Sequence, residues 1–574
     1  MLERICPNCE VPMPYEKCIK CGNNTETISK LYWCKTCNIP LYDKTCSICG
    51  NEAEYITTDL RPVFPEESLL LALINEKEPD FYQKRSIWYG SNFYIIDGEK
   101  LKLSITSLNK WSIKKIKSIK DKYKENESNL IYKFFNEYKS KFVEANKTRF
   151  NNITEEATNY IQSYKGRYDI NEMLVSFSGG KDSTVTSHLV NTALGTNKVL
   201  HIFGDTTLEF PQTMEYRKSF NKNEDFYGVR VLNAKNREKN FEDLIEVVGP
   251  PSRVLRWCCT VFKTGAIQKT ISSAFKNKTN ILTFQGIRRS ESASRSKYER
   301  ESDNSKISKQ TVASPIIDWL DFDVWLYLLT TGIDFNYAYR LGYTRVGCWC
   351  CPNNSPWSEF LSKIHLHEQY LHWRNVLINF AKKVGKPDAE DYVDNGNWKA
   401  RQGGNGLEVA QKSVVSFTPC ATDENSFNYE LQKPISDELY ELFKPFGYIN
   451  KELGNKRLGE VFVTNKAGNV VLILKGRIGS NKLKVTIKNP KIAGAKNLLA
   501  AEGKIQCQLT KYQLCLGCKA CEGVCKHDAI SVKDNGNGEI AYLIDDEKCV
   551  RCTECVGHFD TGCYMKKVLR VKRN

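Results

Sequence analysis

The sequence predicts a multidomain α/β protein, and three observations carry that expectation. Its 574 residues are enough for roughly three to five domains. In the middle, the strand-like run Glu172–Phe177 leads into a glycine turn and then a helix-patterned stretch from Thr184 to Ala193. At both ends, cysteines recur at short fixed spacings, as metal-binding modules require. The composition agrees: 41% apolar and 26% charged residues describe an ordinary globular chain. No apolar run reaches the ~18 residues of a membrane span, so no membrane partner is expected. Met1 to Cys6 lacks a secretory apolar core, so a cytoplasmic, reducing setting is expected. There, 23 cysteines are metal ligands or redox groups, not a disulfide framework. The formal charge of +16 points to an anionic partner.

Residues 1–55 contain a repeat. Cys6, Cys9, Cys18 and Cys21 recur 28 positions later as Cys34, Cys37, Cys46 and Cys49. Each unit reads C-x2-C, eight residues, C-x2-C-G. Two such turns close a tetrahedron of thiolates around one metal, and the glycine allows the tight backbone after the second turn. Each unit is too small to bury a core, so the metal supplies the folding energy. Four thiolates leave no open position, which makes both sites structural Zn2+ sites, two in all. The arrangement resembles a double zinc ribbon.

Residues 56–108 hold Arg61-Pro-Val-Phe-Pro65 and a hairpin signal, with Asp97-Gly98 between apolar runs. The segment resembles PUA-like α/β modules. Residues 109–170 form a basic helical segment. From Lys110 to Arg149 it carries 12 Lys/Arg against 5 Asp/Glu. Those cations form either a solvated helix face or a contact for tRNA or DNA.

Residues 171–400 hold the chemistry. Ser178-Gly179-Gly180-Lys181-Asp182-Ser183 sits between strand and helix, the geometry of a phosphate cradle. Gly179 and Gly180 turn N–H groups toward an anion, and Lys181 adds a point charge. The Ser178 and Ser183 hydroxyls donate to phosphate or cap the helix. The loop is too short for a Walker A motif. It resembles the PP-loop of the ATP pyrophosphatase superfamily, which includes the adenylyl-sulfate and phosphoadenylyl-sulfate (PAPS/APS) reductases. The resemblance implies an adenine nucleotide alpha hydrolase-like parallel-sheet domain. Gly204-Asp205-Thr206-Thr207…Phe210-Pro211 is similar to that family's D-T-G…F-P segment, with Thr207 in place of glycine. Asp205, at a strand end, suits ribose hydroxyls, Mg2+ or a helix cap. Gly286-Ile-Arg288-Arg289…Arg295 is similar to the family's substrate segment, and its three arginines suit a grip on sulfate or phosphate. The resemblance gives Lys181, Asp182, Arg288, Arg289 and Arg295 the catalytic roles.

Cys258-Cys259, then Cys348-Trp349-Cys350-Cys351, resembles the way cluster-bearing adenylyl-sulfate reductases hold a [4Fe–4S] cluster. The resemblance assigns Cys258, Cys259, Cys348 and Cys351, with Cys350 as a substitute ligand. Adjacent cysteines bind together where a cluster presents two irons to one loop, unlike a zinc site. Lys263 also fits a family position. His365, Glu368 and His372, spaced i, i+3, i+7, would share one helical face, either as polar helix residues or as a metal site.

Residues 401–506 are expected to form a small α/β module, with strands at Glu460–Thr464 and Val470–Leu474. Residues 507–574 carry Cys515, Cys518, Cys521 and Cys525, then Cys549, Cys552, Cys555 and Cys563. This resembles a bacterial-type 2[4Fe–4S] ferredoxin. In that pattern the fourth Cys of each run serves the other cluster. It implies one cluster on Cys515, Cys518, Cys521 and Cys563, and another on Cys549, Cys552, Cys555 and Cys525. Lys526 replaces the usual proline, and the last spacing is x7 instead of x3. Cys350, Cys420 and Cys507 remain. Glu554-Cys555-Val-Gly-His558 has the form of the reductases' nucleophile tail, but the ferredoxin spacing already claims Cys555.

Three functions stand open. The first is a PAPS-reductase-family iron–sulfur enzyme that binds adenylyl sulfate or ATP, with electrons passed from an external donor through its own ferredoxin module. The second is an ATP-cleaving sulfurtransferase acting on tRNA or DNA. The third is a redox-sensing regulator that only binds nucleic acid.

Overall fold

A computed structural model describes residues 3–5, 12–13, 18–22, 26–90, 92–253, 256–278, 280–292, 295–303, 310–400, 415–536 and 539–557. At its centre is a six-stranded sheet: β1 (Met173–Phe177), β2 (Leu200–Asp205), β3 (Val231–Lys235), β4 (Ile281–Gln285), β5 (Glu301–Ser302) and β6 (Gln310–Ala313). The spatial order is β3-β2-β1-β4-β6-β5. All pairings are parallel except the short β5 against β6. Strands covered on both faces must be apolar throughout. Accordingly, every residue of β1 except Ser176, and β4 from Ile281 to Phe284, is buried. The chain leaves β1 toward one neighbour and later returns as β4 on the other side. The β1/β4 edge is therefore a topological switch point, where loops diverge and leave room for a ligand. The glycine turn follows β1 there, and α1 (Lys181–Leu194) runs back along the sheet until Gly195 ends it in a left-handed cap.

The preceding segments dock onto this core. The hairpin Tyr94–Ile96/Glu99–Leu101 turns through Asp97 (φ 52°) and Gly98 (φ 91°), the two left-handed residues of a tight hairpin turn. The helix Pro65–Ile74 is buried along its whole length. Its Glu67 is a buried carboxylate, held by Arg61 at 2.6 and 2.8 Å and by the Tyr94 hydroxyl at 2.8 Å. Arg61 also donates to the Gly342 carbonyl at 3.1 Å. A buried pair tolerates desolvation only when its remaining groups are bonded in this way. The basic segment forms the helices Ile113–Asn126, Tyr132–Ala145 and Lys147–Gln162. In the first, Ile116, Ile119 and Tyr123 face inward while Lys114, Lys115 and Lys117 stay exposed. Arg149 ties the third to the helix Asp321–Thr331 by a bidentate pair with Asp323, at 2.9 and 2.7 Å.

In the region expected to be α/β, residues 416–487 form a six-stranded sheet whose pairings are all antiparallel. Its strands Glu460–Thr464 and Val470–Lys475 are neighbours in it. The helix Leu498–Leu514 then crosses the expected boundary at residue 506, packing on this sheet and leading directly into Cys515. One apolar core joins that sheet, the cysteine-bearing C-terminal module and Trp257 beside Cys258. Among the described residues, no helix is long and apolar enough to cross a membrane.

Candidate active site and metal centres

The glycine turn is held by its own serines. Ser183 Oγ donates to the Gly180 carbonyl at 2.8 Å and accepts from the Ser178 N–H at 3.2 Å. Gly179 needs its glycine: φ is +70°, and a Cβ there would meet Thr213 Cγ2 at 2.9 Å. Asn336 donates to the Gly179 carbonyl at 3.0 Å, and the Lys181 N–H donates to the Tyr339 hydroxyl at 3.0 Å. Gly286, after β4, abuts the same turn. A Cβ there would lie 2.5 Å from the Asp182 carbonyl oxygen, so only glycine lets the two switch-point segments meet.

Behind the turn is a buried charge network. Lys181 Nζ lies 3.3 Å from Asp182 and 3.0 Å from Asp321. Arg288 pairs with Asp182 and, at 2.9 Å, with Asp321. Burial opposes the Lys181 charge, but Asp182 and Asp321 outweigh it and hold the ammonium above the ordinary lysine range. Burial likewise works against the Asp182 carboxylate, yet Arg288 and Lys181 keep it well below the usual range.

Asp59, from the N-terminal half, completes this network. Its carboxylate accepts the Asp321 and Phe322 N–H groups, both at 3.0 Å, and so caps the helix Asp321–Thr331 across modules. Burial first, then repulsion from Asp321, pushes the Asp59 carboxyl up to about 7, with Arg288 opposing. The folded value lies above the unfolded value of about 3.9, so folding takes up a proton between the two. This contribution is complete at low pH and lost as pH rises through the folded value. Asp59→Asn is expected to remove it: the wild-type Tm should fall relative to the variant's between about pH 4 and 7. Parallel Tm curves would rule the linkage out.

The predicted anion-binding arginines divide. Arg288 sits in the buried network. Arg289 pairs with Asp318 and donates to the Tyr298 carbonyl at 3.0 Å, so it is held outside that network. Arg295 pairs with Glu291. Burial and then the neighbouring Arg345 lower its pKa, while Asp182 acts the other way. Arg345 is exposed, and no carboxylate pairs with it among the described residues. Arg295 and Arg345 therefore lie near enough to repel each other, and Glu291 is the carboxylate paired with Arg295. Arg345 lies outside every motif, and its only signal was the short distance along the chain to Cys348.

Asp205, at the end of β2, spends its carboxylate internally. It accepts from Thr207 N–H at 2.9 Å and from Asn233 at 3.0 Å, with Lys235 at 3.9 Å. Thr207 has φ +67°, so it keeps the left-handed backbone of the glycine it replaces, an uncommon state for a β-branched residue. Thr206 Oγ1 donates to Glu209 at 2.6 Å and lies 3.4 Å from Cys348 Sγ. The Trp349 N–H donates to the Leu208 carbonyl at 2.9 Å. The loop of Cys348–Cys351 is thereby laid against the end of β2.

Cys258 and Cys259 open a π-helical turn, Cys259–Thr264, a conformation that concentrates at functional sites. The structure brings this pair to the Cys348–Cys351 loop. Hydrogen bonding to Cys259 and burial raise the Cys258 thiol, and Cys348 and Cys350 add to the shift. Burial and Glu209 push Cys348 up to about 12, with Lys263 opposing. Crowded thiols of this kind fit a cationic metal centre, which reverses their mutual repulsion. Cys350 is buried in the same group.

The C-terminal module docks onto the helix Gly265–Ala274, which continues that π-helical turn. A Cβ on Gly265 would fall 1.9 Å from the Cys518 carbonyl oxygen. Asn236 bridges the Val261 carbonyl at 3.0 Å and the Gly517 carbonyl at 2.9 Å. Lys239–Asp534 at 2.8 Å and Lys519–Glu238 at 2.7 Å flank the contact. Within the module, Cys525, Cys549, Cys552 and Cys555 line one small cavity whose other walls include Pro445, Ile530 and Ile544. Four thiols around an otherwise apolar hole fit a cluster. Cys521 and Cys515 lie beside Tyr542, and Cys563 lies outside the described residues.

In the N-terminal repeat, Cys34, Cys37, Cys46 and Cys49 place all four sulfurs within 4.8 Å of one another. Cys34–Cys49 is 3.5 Å and Cys37–Cys46 is 3.8 Å. A tetrahedron with Zn–S of about 2.3 Å has an edge of about 3.8 Å, so the set fits Zn2+. Gly22 and Gly50 share the same geometry, with φ +72° and +74° and N–H bonds of 2.8 Å to the Cys18 and Cys46 carbonyls. Cys6 and Cys9 lie outside the described residues. Cys46→Ser should cost one Zn per chain and expose the sheet of residues 31–57 to protease. Unchanged zinc content would refute the assignment.

The shared helical face of His365, Glu368 and His372 does not exist. The helix Pro356–His365 ends before His367–Lys383 begins. His365 packs on Tyr123, while Glu368 pairs with Lys120 and His372 with Glu242. Of the other leftover cysteines, Cys507 is buried in the helix Leu498–Leu514, and Cys420 lies 3.4 Å from the Thr422 hydroxyl.

Comparison with known proteins matches residues 172–354 to the phosphoadenosine phosphosulfate reductase domain and residues 514–558 to the 4Fe-4S dicluster domain. The chain therefore carries a reductase-type nucleotide domain and a dicluster iron–sulfur domain. An uncharacterized protein of Methanocaldococcus jannaschii is 32% identical over 269 residues, 47% of this chain and 54% of that protein. A second from the same organism is 32% identical over 267 residues, 46% of this chain and 60% of the relative. The chain thus spans between half and two thirds of the length of these two relatives. An adenosine 5'-phosphosulfate reductase of Neisseria meningitidis is 35% identical over 98 residues, 17% of this chain and 36% of that enzyme. A crystal structure of the phosphoadenylyl-sulfate reductase of Candida auris aligns with TM-score 0.27 and 14% identity, covering 35% of this chain and 95% of that one.

Proposed function

We propose that this chain is an iron–sulfur enzyme that binds an adenylyl sulfate at the Ser178–Ser183 turn and reduces it with electrons supplied through its own C-terminal module. The observation that carries this reading is the seat of Cys518 on Gly265. The helix that begins at Gly265 continues directly from the Cys258–Cys259 turn. A dicluster module resting there leads to the cysteine set, and the Cys348 end of that set touches the β2 segment next to the nucleotide turn. In this reading Lys181, Arg288, Arg295 and Arg345 hold the anion, and Asp182 positions Lys181 and Arg288. Asp205 sets the β2 turn through Thr207. Cys258, Cys259, Cys348 and Cys351 would hold one [4Fe–4S] cluster, and the C-terminal cysteines two more. Bound there, the clusters supply single electrons.

The test is anaerobic enzyme, a low-potential donor, and adenylyl sulfate with or without a 3'-phosphate. Sulfite release from either supports the reading, and none from both overturns it. Metal analysis should give about 12 Fe and about two Zn per chain.

A second reading is favoured by the intact, fully bonded Ser178–Ser183 turn with its buried lysine: cleavage of ATP to AMP and pyrophosphate ahead of sulfur transfer to tRNA or DNA. Pyrophosphate release that depends on nucleic acid, without sulfite, would select it. Nucleic-acid binding that survives loss of all nucleotide chemistry would instead mark a regulator.

A further inference from the structure

A cavity of about 320 Å³ opens behind the cysteine loop, between the helices Pro356–His365 and His367–Lys383. Cys350 and Cys351 form part of its wall. It shares no lining residue with the nucleotide turn, with residues 205–209 or with residues 286–295. It is thus a second chamber against the same cysteine set.

Its chemistry is specific. Trp349, Trp373 and Trp398 contribute aromatic surface, with Trp373 and Trp398 meeting edge to face at 5.8 Å. Four cations line it, Lys110, Lys363, Arg374 and Lys399, against two carboxylates, Glu359 and Asp394. Both carboxylates are engaged. Asp394 takes Arg374 through two bonds of 2.7 Å, Glu390 holds the same guanidinium at 3.0 Å, and Glu359 takes Lys399. Lys363 has no such partner: its ammonium donates to the Asn109 carbonyl at 2.7 Å, and no carboxylate pairs with it among the described residues. The same ammonium lies over the Tyr370 ring at 5.6 Å, and a largely buried ammonium with no carboxylate bonded to it suits an anion. Indole walls beside it suit a flat ring.

We propose that this chamber binds a small planar organic anion, an aromatic carboxylate, with its ring among Trp349, Trp373 and Trp398 and its carboxylate on Lys363. The site stands on these residues alone, whether or not the nucleotide site reduces adenylyl sulfate.

The test uses the full chain, purified anaerobically with its metals, and 2-naphthoate as probe, followed by calorimetry and tryptophan fluorescence. Saturable binding at least about tenfold tighter than that of neutral 2-naphthamide is expected. Lys363→Met should erase that preference and Lys363→Arg restore it. Trp373→Leu should weaken both probes. Excess ATP should leave naphthoate binding unchanged. Equal affinity for the two probes, no effect of Lys363→Met in a chain of unchanged circular dichroism, or displacement by ATP would each overturn the proposal. None of these results bears on sulfite release, so this proposal and the proposed function fail separately.

Discussion

Gly265→Ala is expected to uncouple the C-terminal module from the rest of the enzyme. The new methyl would sit 1.9 Å from the Cys518 carbonyl oxygen, a backbone atom that cannot swing aside as a side chain would. The contact has to open. Electron transfer weakens steeply with distance, and a severalfold loss is expected in turnover driven through the module. Protease should also cut residues 515–557 more readily. Gly503→Ala is the control. That glycine lies in the helix Leu498–Leu514 with nothing within 4 Å of its would-be Cβ. Alanine there should raise stability by about 0.5–1 kcal/mol and leave turnover alone. If Gly265→Ala keeps full turnover, electrons do not pass through this contact.

Lys181→Ala is expected to abolish the nucleotide chemistry, whichever bond is broken. It removes one of two buried cations that neutralise Asp182 and Asp321, and leaves both carboxylates to Arg288. Loss of a preorganised charge at a phosphate or sulfate costs about 10²–10³-fold in turnover. Calorimetric titration should show weaker binding of both ATP and adenylyl sulfate, with the zinc content unchanged. Lys181→Arg should recover little, because a planar fork does not fit a niche shaped around a compact ammonium between the Tyr339 ring and Asp321. Nucleotide binding and turnover equal to wild type would remove the Ser178–Ser183 turn from the chemistry altogether.

How much of the site was legible depended on how local each part is. The glycine turn and each C-x2-C turn are contiguous motifs, whose geometry follows from backbone rules within a few residues. Thr207 kept the left-handed φ of a glycine because Asp205 and Thr206 bond the turn on either side. The buried network was only half visible. Asp59, Asp321 and Tyr339 lie far apart in the chain and meet Lys181 or Arg288 only when separate elements converge on the switch point. Arg289 carries the same motif as Arg288 and Arg295, yet Asp318 holds it elsewhere. The shared face of His365 and Glu368 failed because the chain breaks its helix at Leu366, with φ −123° and ψ 39°. Nothing in the spacing of three polar residues encodes such a break.

The sequence by itself marked which cysteine spacings and which glycine turn suit a metal or a phosphate, since ligand spacing on one loop is a local property. It also marked Glu172–Phe177 as a strand, because strands covered on both faces must be continuously apolar, whereas β3 and β6, with Asn233, Lys235, Gln310 and Thr311, carry no such run. Only the tertiary structure decided how these parts are wired together. It set the C-terminal module on Gly265, and it laid Cys348 against the end of β2. It also buried Asp59 against Arg288 and left Lys363 without a carboxylate partner, among the described residues, in a tryptophan-lined chamber. Each of these depends on which surfaces meet, and packing between distant segments leaves no periodic or spaced mark in the chain.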